Sequence, residues 1–471
     1  MVADLGLEVL FEAMAGQDDV LQRVARSAVL NGVQDCDTIR YRQAALADAI
    51  AHPESVRNLH DFALATLREE RQLWGWFGKS PEINLHHAIS VMTLLAGKLR
   101  ELRRSAAENL DSFSSPAFRG LFARVLEELD DGYFTEMEQH LARLRFRSGI
   151  LLSAGLGKGL SGMDYVLRVP PAEKGLVERL LDRTDSRLRF DVHPRDESGN
   201  NALDEVRSRG INLVADALSQ SSQHVLGFFG QLRAELAFYV CCLNLRDKLE
   251  ARGCHTSLPS PHLAGDRTLH TTCLYDPVLA LTMSESVVPN DLSAPGVSLL
   301  FITGANRGGK STFLRALGLA QLMTQAGMFA PAREFSSSIA SGLFTHFTRN
   351  EDQTMDQGKL EEELGRMSRI VDHIRPGAIL LCNETFSSTN EREASEIGDQ
   401  VLRALTGAGI RVFIVTHLFD LARRFQGADG VLCLRAERLE DGTRTFKLRE
   451  GAPLATSFGR DIFDSVFDQT T

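Results

Sequence analysis

The residues best suited to chemistry form one run, Gly304-Ala305-Asn306-Arg307-Gly308-Gly309-Lys310-Ser311, with Thr312 next. The run fits a glycine, four free positions, then Gly-Lys-Ser. Glycines let backbone N–H groups close around phosphate oxygens. A helix starting at the end of the run turns its positive end on the anion. Lys310 has the reach for the β- and γ-phosphates, and the Ser311 hydroxyl can ligate Mg²⁺. Every position from Gly304 to Thr312 is a candidate nucleotide contact.

Two further segments follow in the order such a site needs. The first is Ala378-Ile-Leu-Leu-Cys-Asn383-Glu384, an apolar strand ending in polar residues. The first polar position of such a strand normally offers an Asp to Mg²⁺, and the following Glu orients or deprotonates the attacking water. Here the first position is Asn383, which has a carbonyl oxygen but no charge, so metal neutralisation is expected to be weaker. Glu384 is intact. The second segment, RVFIVTHLFDL, places Thr416-His417 at a strand end. A lone histidine is usually structural, but after two phosphate motifs His417 is a candidate sensor of the γ-phosphate.

Positioning these groups takes strands that carry the loops at their ends. Val297–Thr303, Ala378–Cys382, Val412–Val415 and Val431–Leu434 are short apolar runs separated by helical patterns. That alternation predicts an α/β sheet covered on both faces. The phosphate run lies between the strand VSLLFIT and the helical FLRALGLAQLMTQAG, which is the context it requires.

The first half reads differently. Apolar residues recur at three and four spacing in Val20–Val29, Leu59–Leu73 and His86–Leu102, with breaks at His52-Pro53, Ser80-Pro81 and Ser115-Pro116. From about Ala202 to Ala251 a helical pattern runs without proline. At 1.5 Å per residue it makes one helix of about 75 Å, or two with a break near Gly210 or Gly227. Leu232, Leu236, Tyr239 and Leu243 share a stripe. A helix this long suits a rigid arm, or an ordinary bundle. Trp74, Trp76 and Phe77 read as packing at a helix end rather than a binding surface. GLGKGLSG is not a second phosphate loop, because Lys158 is followed by glycine; a hairpin turn over residues 148–168 suits it better. His255–Asp276, with Pro259, Pro261 and Gly265, is the candidate domain boundary.

Of the 471 residues, 43% are apolar and 24% charged, which argues against a disordered or fibrous chain. The net charge is −10, and the parts before and after residue 265 are each mildly acidic, so bulk charge would not hold DNA. Lys98–Arg104 and Arg143–Arg147 are basic runs that could meet phosphates or be solvated faces. Seven scattered cysteines without a CxxC pair read as reduced thiols of a cytoplasmic protein. The N-terminus lacks a basic leader, and no uninterrupted apolar run of about 18 residues suggests a membrane span.

The ATPase half resembles the MutS family. TGANRGGKSTFLRALGLAQLMTQAGMFAPA is similar to its phosphate loop and helix. GAILLCNETFSSTNERE resembles its Walker B strand and the loop beyond, VTHLFDL its Thr-His-aromatic segment, and FKLREGAPLATSFG its late strand and turn. Asp276-Pro277-Val278 and VVPNDLS occupy its lead-in. More loosely, DTIRYRQAALADAI and LRAELAFYVCCLNL resemble the core and lever helices. The resemblance implies an α-helical core and lever, residues 1–265, joined to an ABC-type P-loop ATPase domain, residues 266–471. It implies ATP and Mg²⁺ as ligands, with Glu384, Lys310 and His417 catalytic and Ser311 and Asn383 at the metal. It further implies a homodimer sandwiching ATP between its ATPase domains, and DNA binding in mismatch repair or related maintenance. The alternatives are a binder of branched DNA in recombination and a nucleotide-gated protein scaffold with weak turnover. The expectation is a short form, without the family's mismatch-reading, connector or nuclease-like parts. In place of the family's Ser-Thr pair, which completes the partner's ATP site, stands Gly358-Lys359-Leu360-Glu361-Glu362-Glu363. Lys359 could meet a γ-phosphate as a point charge, or the segment could be a solvated helix face. Thr389 and Asn390 fall where the family's loop meets its partner.

Overall fold

The computed structural model of the chain describes residues 1–73, 81–146, 149–158, 162–168, 191–348 and 358–454. Trp74, Trp76, Phe77, Arg147 and the tip of the 148–168 turn lie outside them. Eight helices come first: α1 (Val2–Leu5), α2 (Leu7–Ala15), α3 (Asp19–Leu30), α4 (Cys36–Ala51), α5 (Pro53–Leu73), α6 (Pro81–Asn109), α7 (Pro116–Glu128) and α8 (Asp131–Leu144). The prolines read as breaks open α5, α6 and α7, where a missing N–H is no loss and φ is already set. Asp18, Asp35 and Asp130 cap α3, α4 and α8 with their carboxylates.

The expected hairpin is present. Strands β1 (Leu151–Leu156) and β2 (Gly162–Arg168) pair antiparallel. The long pattern forms one helix, α9 (Glu197–Glu250), 54 residues without a break at Gly210 or Gly227. Residues of its stripe are buried, Leu236 at 3% exposure and Leu243 at 1%. One 18-residue window of α9 has a mean hydropathy of 1.3, enough by length and composition to cross a membrane. The window is not an uninterrupted apolar run. With 44% of it buried inside the protein, it fits a core helix equally.

Two sheets follow. The larger has the order β12-β11-β6-β10-β9-β8. Its strands are β6 (Leu299–Gly304), β8 (Leu343–Phe347), β9 (Ile379–Asn383), β10 (Arg411–Val415), β11 (Val431–Arg438) and β12 (Arg444–Glu450). All neighbours are parallel except β11 and β12. Parallel strands buried on both faces need continuous apolar runs, and VSLLFIT, AILLC and VFIV supply them. Helices α11 (Lys310–Ala326), α12 (Lys359–His373), α13 (Glu391–Gly407) and α14 (Phe419–Phe425) accompany this sheet. Phe301, Leu380, Val412, Ile414, Leu421 and Phe425 form its core.

The second sheet has the order β3-β7-β4-β5, from β3 (Ser260–His262), β4 (Leu269–Leu274), β5 (Asn290–Ser293) and β7 (Glu334–Ser338). The stretch read as a boundary, His255–Asp276, therefore contains two strands. Their short, mostly polar sequences leave no periodic signal. Asp276 caps α10 (Pro277–Thr282) and pairs with Arg315 of α11 at 2.5 Å.

By compactness the chain forms two units. One comprises Met1–Arg57, Ser114–Ala117 and Leu236 onward; the other Asn58–Phe113 and Phe118–Glu235. Within the first of these units the opening helices pack on the sheet-bearing part. The Val33 amide donates to the Gln325 carbonyl at 2.8 Å, Gln43 to Pro259 at 2.9 Å, and the Thr345 hydroxyl to Asp4 at 2.6 Å. The second unit is centred on aromatic contacts, with Phe113 against Phe118 and Phe122, and Phe62 edge-on to Phe229.

Candidate active site

The loop between β6 and α11 takes its shape from its glycines. Gly304 has φ +104°, and a Cβ there would stand 2.9 Å from the Ala436 nitrogen on β11. Gly309, at φ +86°, precedes the first turn of α11 with no side-chain cap. The turn's N–H groups are left for an anion. Arg307 holds φ +60° and an exposed side chain.

Lys310 is buried, at 5% exposure. Its ammonium donates to the Gly304 and Ala305 carbonyls at 2.9 Å each. Burial pulls its pKa down to about 8; Glu384 opposes the shift and Arg444 adds to it. The loop thus carries a desolvated cation whose protonated form is favoured by any incoming polyanion.

The parallel register brings the other motifs alongside. β10 lies between β6 and β9, so the ends of all three open on one edge. There the Ser311 hydroxyl donates to Asn383 Oδ1 at 2.7 Å. These two neutral, hard oxygens fit Mg²⁺ that arrives with a nucleotide, whose phosphates bring the negative charge Asn383 lacks. Among the described residues no group of three or more His, Cys, Asp or Glu could hold a metal unaided.

Glu384 Oε1 lies 3.0 Å from His417 Nε2. That hydrogen bond, with the nearby charge of Lys310, outweighs burial and holds the carboxyl below its ordinary range. The Leu418 amide donates to the Thr416 hydroxyl at 3.0 Å, shaping the turn that presents His417. Together these residues form a cradle of a buried ammonium, a neutral Ser–Asn oxygen pair and an ionised carboxylate.

The segment carrying Glu384 is strained. Glu384 and Phe386 adopt φ +56° and +65°, a left-handed conformation costing about 1–3 kcal/mol per non-glycine residue. It persists because neighbours hold it. The Glu384 amide donates to Val415, and the Thr348 hydroxyl donates to the Glu384 carbonyl at 2.8 Å.

A cavity of about 290 Å³ adjoins the cradle. Arg307, Gly309 and Thr312 form one wall; Tyr275, Val287 and Phe446 form another.

Three contributors were not identified from sequence. Arg444 donates to the Asn306 carbonyl at 2.7 Å from β12. His346 on β8 and Thr348, just past its end, brace the Glu384 segment. Nothing in their spacing marks them, because each acts across a strand pairing.

Other candidates lie apart from this cluster. Lys359 opens α12, directly after its N-cap Gly358. Asn390 caps α13, accepting from the Glu393 amide, while the Thr389 hydroxyl donates to the Glu393 carboxylate. In the basic run, Lys98 pairs with Glu69, Arg100 with Glu138 and Arg103 with Asp131, so most of its charge is met by acids. Arg104 and Arg143 are exposed.

The chain matches family models for the MutS2 N-terminal domain over residues 34–252 and for MutS domain V over residues 300–461. It is similar to proteins named DNA mismatch repair protein MutS. That of Leptospira interrogans is 25% identical over 254 residues, covering 53% of this chain and 29% of that protein. That of Chloroflexus aurantiacus is 26% identical over 46% of this chain and 23% of its own length. That of Methanococcoides burtonii is 29% identical over 38% and 21%. The matched stretch thus spans under a third of these relatives.

Proposed function

Since the chain belongs to the MutS family, we propose that it is an ATP-dependent DNA-binding ATPase of DNA maintenance, with mismatch repair the first candidate process. The observation that carries this is the convergence of Lys310, Ser311–Asn383 and His417–Glu384 on one sheet edge. The names of the relatives, all mismatch repair proteins, support the process.

The proposed reaction is attack of water on the γ-phosphate of ATP, in which the bond from the γ-phosphorus to the β,γ-bridging oxygen breaks and ADP leaves. Residues 304–312 bind the triphosphate through backbone N–H groups and the Lys310 ammonium. Glu384, ionised and held by His417, orients the water and accepts its proton. Ser311 and Asn383 would hold a Mg²⁺ ion brought in with the nucleotide, which would supply positive charge to offset that of the phosphates. The nucleobase has room in the cavity beside Thr312. We assign this ABC-type ATPase part to residues 266–471 and a core-and-lever part to 1–265. Two copies sandwiching ATP, with α12 of each meeting the other's nucleotide, would make the lever helices responsive to ATP. The reduced cysteines fit a cytoplasmic setting.

One observation favours a second reading. Asn383 contributes no charge, which suits a nucleotide-gated scaffold with weak turnover. Measuring ATP hydrolysis by wild type and Lys310→Ala, with no DNA and with matched, mismatched and branched duplexes, tests these readings. Loss of hydrolysis in the variant and stimulation by DNA are expected. Equal rates in the two proteins would overturn the ATPase assignment.

A further inference from the structure

His346 lies on β8 with no exposed surface. Its ring joins two segments. Nε2 is 3.0 Å from the Glu363 carbonyl on α12, and Nδ1 is 3.0 Å from the Thr385 hydroxyl, beside Glu384. A carbonyl oxygen only accepts, so Nε2 carries the proton and donates. Burial lowers the pKa of the ring, which is therefore neutral, leaving Nδ1 to accept from Thr385. The Thr385 hydroxyl is also 3.1 Å from the His346 carbonyl, so its single proton is shared between that carbonyl and Nδ1. The Phe386 ring lies beside the imidazole, centroids 6.1 Å apart.

Both connected segments are poised. Glu384 and Phe386, either side of Thr385, hold a left-handed backbone that relaxes if its braces are lost. On the other side, α12 begins at Gly358-Lys359 and turns Glu363, Arg366 and Met367 inward. Arg366 donates to the Phe347 carbonyl, next to His346, at 2.8 Å. A shift of α12 thus reaches β8 and the Glu384 loop through buried, directional contacts. A side chain present only to fill space would not need both ring nitrogens engaged.

We propose that His346 is a positioning residue that couples α12 to the Glu384 loop, so that turnover depends on where α12 sits. This rests on the ATPase reading of Glu384 and of α12 as the segment meeting a partner's nucleotide.

The test compares His346→Leu, which keeps bulk and loses both hydrogen bonds, with His346→Gln, whose amide retains a donor and an acceptor. A third variant, Thr385→Val, removes the other end of the link if His346→Leu fails to fold. Steady-state ATP hydrolysis, binding of a fluorescent ATP analogue and hydrogen exchange are measured on the full chain. We expect His346→Leu and Thr385→Val to lower kcat at least tenfold, with KM and analogue affinity within twofold of wild type. His346→Gln should stay within threefold in kcat. Exchange of amides 384–388 should rise at least tenfold in His346→Leu, with those of α11 unchanged. Unchanged kcat in both Leu and Val variants, a Gln variant no better than Leu, or unchanged exchange at 384–388 would each overturn the coupling. If wild type hydrolyses no ATP, the ATPase reading fails, and the exchange result alone decides whether the link exists.

Discussion

Lys310 carries its charge in a buried setting, and that dictates how nucleotide affinity varies with pH. With a pKa of about 8 in the free protein, it is charged at pH 7 and loses its proton as the pH rises through 8. Affinity for ATP should be full below that point and fall above it. Because the Glu384 carboxylate raises the Lys310 pKa, Glu384→Gln should start the fall at lower pH. Titrating analogue affinity from pH 6.5 to 9.5 in both proteins checks the order of the midpoints; identical curves would refute the linkage. Asn383 offers the complementary test. Its Oδ1 already accepts from Ser311, so Asn383→Asp keeps that contact and adds an anionic oxygen. The expected result is a several-fold lower Mg²⁺ concentration for half-maximal hydrolysis. A higher requirement would mean that a second carboxylate beside Glu384 repels the phosphates.

Between elements, buried polar contacts decide where segments settle. Asp48, 5% exposed on α4, accepts from the Ser114 and Ser115 amides at 2.6–3.1 Å and from the Ser114 hydroxyl at 2.9 Å. Burial pushes its carboxyl up, but these hydrogen bonds win and hold it below the usual range. Its contribution is therefore present at neutral pH and lost as the pH falls through the lowered pKa. Asp48→Ala strands buried donors just before α7 and should cost about 3 kcal/mol, a figure typical of bonds to a charged acceptor. Urea unfolding measures this; a loss under about 0.5 kcal/mol would show that the segment repacks freely.

Across the whole molecule, the proposed ATP-dependent dimer is the property to test. At a pH low enough to keep Lys310 charged, Glu384→Gln should still bind ATP but hydrolyse it about 10²–10⁴-fold more slowly, the range for loss of a general base. If ATP bridges two copies, this variant should accumulate as a dimer with Mg²⁺ and ATP. Light scattering on a sizing column reads the mass; a monomer at saturating ATP would exclude the sandwich at that concentration.

Strands β6, β9 and β10 could be read from sequence because strands buried on both faces must be apolar without interruption. Gly304 to Thr312 were equally plain, since backbone that wraps phosphate needs glycine at set spacings. The prolines opening α5, α6 and α7, the hairpin of β1 and β2, and the length of α9 follow from similarly local rules. Tertiary structure decided what depends on distant residues. β8 is half-polar and becomes a strand only through its neighbours. The packing of Met1–Arg57 with the sheet-bearing part rests on side chains such as Gln43 and Asp4, which meet partners more than 200 residues away. His346 and Arg444 reach the site from neighbouring strands, and no sequence interval encodes which side chains a pairing register brings into contact.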